Sequence, residues 1–192
     1  MDVIINVLSA FGLSGSAGLN AYLPLLVVSL AARFTNVITL KAPWDVLESW
    51  WVIGVLTVLL VIEFFADKAP AVNHLNDAIQ TFVRPTAGAI VFAASTGVAD
   101  LHPVLAVILG LLVAGSVHAA KSVVFRPAVT ATTAGAANPV VSLVEDITAL
   151  IVSVLAVVLP VLISAIIVLL TALVVFLLYR RATRPSRTVS AG

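Results

Sequence analysis

Between Val3 and Ala32 the chain carries no charged residue, yet the small polar run Ser14-Gly15-Ser16-Ala17-Gly18-Leu19-Asn20 cuts that apolar stretch near its middle. A helix that crosses a bilayer needs about 20 mostly apolar residues, and every backbone polar group at that depth must be satisfied within protein. The pattern predicts a short N-terminal half-helix, a break across the polar run, and a full helix after it. A loop from Arg33 to Lys41 leads to Trp44, Trp50 and Trp51, whose rings suit a membrane-water interface; a second helix then runs to about Phe65 and ends at Asp67 and Lys68.

From Pro70 to Arg84 the polar groups His74, Asp77, Thr81 and Arg84 recur at 3-4-3 spacing, on one face of a helix, with Val72, Leu75, Ile79 and Phe82 over much of the remainder. Such a segment is too polar to span, so it is expected to lie at the interface or dip inward against protein. A short apolar piece, Thr86 to Ala99, follows, then a longer helix from Leu101 to about Ser122 carrying His118 and Lys121, and an Ala/Thr-rich linker from Arg126 to Asn138. From Asn138 to Arg181 the only charges before Arg180 are Glu145 and Asp146, over roughly twice the length of one span, with Pro160 as the expected turn. The resulting expectation is an all-α polytopic membrane bundle of about six spans with interrupted or re-entrant helices. It forms one domain over residues 1–182, followed by a disordered cytoplasmic tail, 183–192.

Composition agrees with lipid as the solvent: 61% of residues are apolar and 10% charged, and the mean hydropathy is +1.20. The net charge of +1 shows no basic face for nucleic acid. Absence of cysteine removes disulfides, thiolate metal sites and cysteine nucleophiles. Asp2, with no Lys or Arg before the first apolar run, argues against a cleaved signal peptide. With the C-terminus inside, Lys68, Arg84, Lys121, Arg126, Arg180, Arg181, Arg184 and Arg187 fall on the cytoplasmic side and only Arg33 and Lys41 outside, which orients the chain.

Weak echoes recur. Ser16-Ala17-Gly18, Thr86-Ala87-Gly88 and Thr133-Ala134-Gly135 each precede an apolar run, and Phe82-Val83-Arg84-Pro85 echoes Val124-Phe125-Arg126-Pro127. One reading is an internal repeat of helical hairpins, whose interrupted helices mark a transporter's midplane site; the other is chance or close helix packing in a chain rich in small residues.

Ionisable residues carry most of the functional signal, because a charge at bilayer depth costs about 2.5 kcal/mol or more unless it is paired or faces a cavity. Glu63 and Asp67, four apart, share a face. Asn138, Ser142, Glu145 and Ala149 form a narrow polar stripe that puts Glu145 about two turns into its helix, and Asp146 points about 100° away from it. His118 and Lys121 share a face, and Arg84 and Arg126 end the two echoed segments. Glu63 and Glu145 are either structural ion-pair partners of Lys121 or Arg126, or groups that handle protons or substrate. Arg84 and Arg126 are either headgroup anchors or anion ligands. His102 follows a loop and reads as exposed, while His74 and His118 are either hydrogen-bonding residues or titrating ones.

Enzyme signatures are missing: there is no HExxH and no GxSxG, and Lys121 to Arg126-Pro127 only loosely approaches the lysine-to-Arg-Pro element of lipid-phosphate phosphatases, without their later histidines. Nothing in the spacing of His74, Asp77, His118 and Glu145 asks for a metal, and no cofactor is expected.

The motifs GSAGLNAYLPLL, IEFFADKAPAVNHLNDAIQTFVRPTAGA, HAAKSVVFRPAVT and NPVVSLVEDITAL together resemble the bacterial membrane proteins of domain-of-unknown-function family 4126, over roughly residues 12 to 160. The resemblance implies a small polytopic protein of a bacterial inner membrane and confers no activity. The family's recurring polar positions would fall on Asn20, Glu63, Asp67, Lys68, His74, Asp77, Arg84, His118, Lys121, Asn138, Glu145 and Asp146; Asn73 stands where the pattern often has an acid.

Three functions follow from these residues. The first is a secondary transporter or lipid flippase for an anionic substrate, such as a phosphate-bearing lipid. Asn20, Arg84, His118, Lys121, Arg126 and Asn138 would bind the substrate, and Glu63, Asp67, His74, Asp77, Glu145 and Asp146 would couple protons or form ion pairs. The second is an ion or small-solute channel, and the third a non-catalytic scaffold or assembly factor. The expected partners are the lipid bilayer and an anionic small molecule or head group, with room for a homo-oligomer and no role for nucleic acid.

Overall fold

The computed structural model describes residues 2–67, 70–96 and 101–182, and these are all-α. Lys68 and the tail with Arg184 and Arg187 lie outside the described residues, as does the side chain of His74.

Helix α1 runs Asp2–Leu19 without interruption, so the break expected across Ser14 to Asn20 falls instead at its end. The small polar residues are a packing face. Ser14 Oγ donates to the Gly110 carbonyl at 2.8 Å, and Ser16 Oγ to that of Ala149 at 3.1 Å, so neighbouring helices satisfy their hydroxyls. Gly18 lets the helix that carries Ala114 approach: a Cβ there would stand 2.6 Å from the Ala114 carbonyl oxygen. Helix α2, Tyr22–Phe34, starts where Asn20 Oδ1 accepts the N–H groups of Tyr22 and Leu23, both at 3.0 Å.

After a 3₁₀ turn at Trp44–Glu48, α3 spans Trp50–Ala66, its first turn capped by the Ser49 hydroxyl. The polar segment and the apolar piece expected to be separate form one helix, α4, Pro70–Thr96, with Pro85 inside it. Proline removes one internal hydrogen bond, but the helix continues through it, packed along α1 and the helix that follows, Pro103–Ala119. Its amphipathicity is inverted relative to a soluble helix. Asn76, Gln80 and Arg84 are buried against protein, while Ile79 and Phe82 are 51% and 77% exposed.

Helix α5, Pro103–Ala119, continues through a π-helical turn, Ala120–Phe125, into α6, Arg126–Thr133. The segment expected as a linker is therefore helical to Thr133, and left-handed backbone at Ala134 and Gly135 ends it. Helix α7, Asn138–Ala182, runs through Pro160, where a turn was expected. No Gly, Asn or Asp flanks that proline to build a turn, so the helix continues at the cost of one bond.

Among the described residues, the stretches Pro103–Thr133 and Asn138–Pro160 are long and apolar enough to cross a membrane, and α2 and α3 are shorter apolar helices. Helix α1 sits centrally, packed on α4, α5 and α7. Small residues make the closest contacts, with Gly88 of α4 facing Gly110 and Ala114 of α5. Two of the three echoed Ala-Gly segments are thus helix-packing surfaces, whereas Thr133-Ala134-Gly135 is a helix terminator.

Candidate functional site

Five helical elements bring their charges to one buried cluster. The end of α3 supplies Glu63 and Asp67, the N-terminal half of α4 supplies Asp77 and Arg84, and the π turn and α6 supply Lys121 and Arg126. The first turns of α7 supply Ser142 and Glu145, and the α1/α2 break supplies the Leu19 carbonyl and Asn20.

The deepest pair is Arg84 with Glu63, side chains 1% and 2% exposed, joined at 3.0 Å from Arg84 Nη2 to Glu63 Oε1. The same Nη2 lies 3.8 Å from Asp67 Oδ2. Arg84 Nη1 lies 3.3 Å from His118 Nδ1, and His118 Nε2 lies 3.3 Å from Thr81 Oγ1. A guanidinium only donates, so Nδ1 accepts and Nε2 carries the ring proton. That proton points to Thr81 Oγ1, whose own hydroxyl donates to the Asp77 carbonyl at 2.8 Å. His118 is thereby a neutral, fully bonded imidazole that orients Arg84.

Asp67 is the junction. Its Oδ1 accepts from Asn76 Nδ2 at 2.6 Å, and its Oδ2 accepts from Arg126 Nη2 and Ser142 Oγ, each at 3.0 Å. Arg126 also donates through Nη1 to Asp77 Oδ1 at 2.7 Å, and its Nη2 lies 3.5 Å from Glu145 Oε2. That carboxylate oxygen is 2.7 Å from Lys121 Nζ, which in turn donates to the Leu19 carbonyl at 3.1 Å. Lys121 therefore caps the C-terminus of α1 with a positive charge while pairing with α7. Asn20 donates to Asp146 Oδ1 at 2.9 Å, tying the helix break to the next residue of α7. Exposure rises outward: the side chains of Glu63 and Asp67 are 2% and 3% exposed, Glu145 12% and Asp77 30%.

The π turn explains how Lys121 and Arg126 serve one carboxylate. In an α-helix, at about 100° per residue, positions five apart diverge by about 140°. Here the Arg126 N–H bonds to the Lys121 carbonyl, five residues back, so the wider turn stacks the two bases and both are buried.

Of the residues singled out in the sequence, Glu63, Asp67, Asp77, Arg84, His118, Lys121, Arg126 and Glu145 come together, and Asn20 with Asp146 borders them. Asn138 does not join: it exchanges hydrogen bonds with Thr130 at 3.1 and 3.4 Å and closes the α6–α7 turn. Asn76 and Gln80 were missed. Both are buried, and the signal for both was there: Asn76, Gln80 and Arg84 recur at four-residue steps, a second polar row beside that of His74, Asp77, Thr81 and Arg84. Arg84 and Arg126, the echoed arginines, reach the same Asp67 from different helices.

A family model described as "Domain of unknown function (DUF4126)" matches residues 7–180. No curated protein and no solved structure matches the chain.

Proposed function

The chain belongs to that family of unknown function, and from the geometry of its charge cluster we propose that it is a small multi-pass membrane protein that carries an anionic group, with Glu145 holding the anion's place in the unloaded state. Support for the membrane part comes from the mean hydropathy, the two stretches of spanning length, and the exposure of Trp51, Phe65, Val123 and Val140 on the outer faces while charges lie inside. About six spans, a bacterial inner membrane and a cytoplasmic C-terminus complete the reading, the orientation resting on the excess of Lys and Arg at one side.

The observation that carries the functional part is one carboxylate oxygen facing two bases: Glu145 Oε2 at 2.7 Å from Lys121 Nζ and 3.5 Å from Arg126 Nη2. The cluster holds three cations, Arg84, Lys121 and Arg126, and four acids, Glu63, Asp67, Asp77 and Glu145. An anion added to it unchanged would face repulsion. A proton taken up by Glu145 releases its hold on Lys121 and Arg126 and leaves three charges of each sign; a monoanion binding to those bases restores the original balance. Anion and proton then enter together, and the charge of the buried cluster is the same before and after. The less exposed Glu63–Arg84–Asp67 group holds the helices while the rim exchanges partners.

Reconstitution tests this. Vesicles containing the protein are loaded against labelled inorganic phosphate and, separately, contain a headgroup-labelled glycerophospholipid, with and without a pH gradient. Wild type should move one of the two faster when the gradient favours proton entry. Glu145→Gln, which cannot exchange its proton, should lose the response to the gradient, and Lys121→Ala should lose movement. Wild type that moves neither probe, or a Glu145→Gln protein that follows the gradient as wild type does, would refute the proposal.

A further inference from the structure

Arg84 meets Glu63 with one prong of its fork. Nε and Nη2 present N–H groups along the same edge of the planar guanidinium, the edge that grips both oxygens of a carboxylate in a bidentate pair. Here only Nη2 does so, 3.0 Å from Glu63 Oε1, and it also lies 3.8 Å from Asp67 Oδ2. Nη1 is turned to His118 Nδ1 at 3.3 Å. Glu63 Oε2 and Arg84 Nε are left on the open side of this half-made pair, both buried and without a hydrogen-bond partner, on residues 2% and 0% exposed.

A third unpartnered atom belongs to the same place. Asn76 meets Asp67 and Arg84 meets Glu63, so two turns of α4, about 12 Å, face one turn of α3, about 6 Å. The long Arg84 side chain takes up the difference by leaning back toward the N-terminus of α4, as helical side chains do, which carries its guanidinium over Gln80, one turn earlier. Gln80 is 1% exposed, and its Oε1 is buried with no partner. A buried polar atom left bare costs at least as much as a lost hydrogen bond, so three of them in one spot call for a common partner.

Two of the three are acceptors, Glu63 Oε2 and Gln80 Oε1, and one is a donor, Arg84 Nε. A cation accepts nothing from an N–H, and an anion would face a carboxylate oxygen and an amide oxygen. The set is completed by a small neutral centre with two donors and an acceptor. We propose that one ordered water molecule is bound between α3 and α4, donating to Glu63 Oε2 and Gln80 Oε1 and accepting from Arg84 Nε. It leaves the charge of the cluster unchanged, joins α3 to α4 a further time, and fixes the guanidinium on the side that His118 does not reach. A direct second bond from Nε to Oε2 would satisfy two of the three atoms and leave Gln80 Oε1 bare. The inference stands independently of the anion reading.

The test is proton-detected solid-state NMR on the full-length protein in phosphatidylcholine bilayers, labelled with ¹⁵N and ¹³C and carrying protons only at exchangeable sites. Magnetisation starting on water is read at the Arg84 side-chain Nε–H and, as dry controls on the same helix, at the backbone N–H groups of Val91 and Phe92, both 0% exposed. Build-up at Arg84 should be at least fivefold faster than at either control. Gln80→Met, which keeps the length of the side chain but offers water no acceptor, should slow the Arg84 build-up at least threefold. Wild-type build-up at Arg84 no faster than at the controls overturns the bound water, and so does a scalar coupling from the Arg84 Nε–H to the Glu63 carboxyl carbon, the mark of a direct bond. Build-up in Gln80→Met equal to wild type overturns the site as drawn, in which the water is held at three points. Should Gln80→Met not fold, the two wild-type measurements decide the matter alone.

Discussion

Deleting Val124 should leave the protein folded with its ion pairs in place, although it removes a residue from inside a 31-residue helical stretch. The reasoning is geometric. The π turn is a one-residue insertion into an otherwise α-helical rod: Arg126 bonds back five residues to Lys121 rather than four. Removing one residue between them restores the ordinary four-residue bond and sets Lys121 and Arg126 four positions apart, diverging by about 40° instead of the about 140° that five α-helical steps would give. Val124 is 60% exposed, so its loss empties no core, and the helix shortens by only about 1.5 Å. The expected change in unfolding free energy is within about 1–2 kcal/mol.

Deleting Leu111, equally apolar and 45% exposed, is the matched control. It lies in regular α-helix, so everything beyond it turns by about 100° relative to Gly110 and Ala106, and Lys121 and Arg126 leave their carboxylates. Breaking a buried pair costs about 3–5 kcal/mol, and several break at once, against a total stability of the order of 5–15 kcal/mol. Denaturant titration of both proteins in detergent, followed by helical circular dichroism and by the yield of monodisperse protein, measures the difference. If the Val124 deletion loses as much stability as the Leu111 deletion, the π turn is not what aligns the two bases.

Three further substitutions are read out by the same titration. Arg84→Met strands Glu63 in the interior and should cost about 3–5 kcal/mol, whereas Glu63→Gln keeps an acceptor for Arg84 while Asp67, 3.8 Å from it, still balances the charge, and should cost about 1–2 kcal/mol; equal costs would contradict the assigned pairing. Gly18→Val pushes carbon against the Ala114 carbonyl and should cost about 1–3 kcal/mol, while Gly54→Ala, which meets nothing within 4 Å, should be neutral or gain up to about 1 kcal/mol; a reversed order would place α1 and α5 wrongly. Asn20→Ala removes the acceptor for two α2 amides and the donor to Asp146 and should cost about 1–2 kcal/mol; no measurable loss would mean that the α1/α2 break is held by other groups.

What could be read from the chain, and what could not, divides along one physical line. Periodicity placed Glu63 with Asp67, and Ser142 with Glu145, because those pairs lie on regular helix where a three- or four-residue step fixes a shared face. It failed wherever a neighbouring helix supplied what the local sequence lacked. Ser14, Ser16 and Gly18 read as a break because in an isolated helix they are poor formers, but α5 and α7 accept their hydroxyl bonds and fill the space left by the missing Cβ. Pro85 and Pro160 read as boundaries for the same reason and are carried inside continuous helices. The polar segment of α4 was expected either to lie at an interface or to dip inward against protein, and periodicity alone could not choose between the two. Asn76, Gln80 and Arg84 turn inward, Asn76 donating to Asp67 and Arg84 to Glu63. The π turn was the least legible feature of all, because spacing of five between Lys121 and Arg126 argues against a shared face on any α-helical template. The two bases meet at Glu145 only because the helix is locally not an α-helix. A charge cluster assembled from five elements is thus specified less by any one segment's pattern than by the requirement that each buried charge find its opposite.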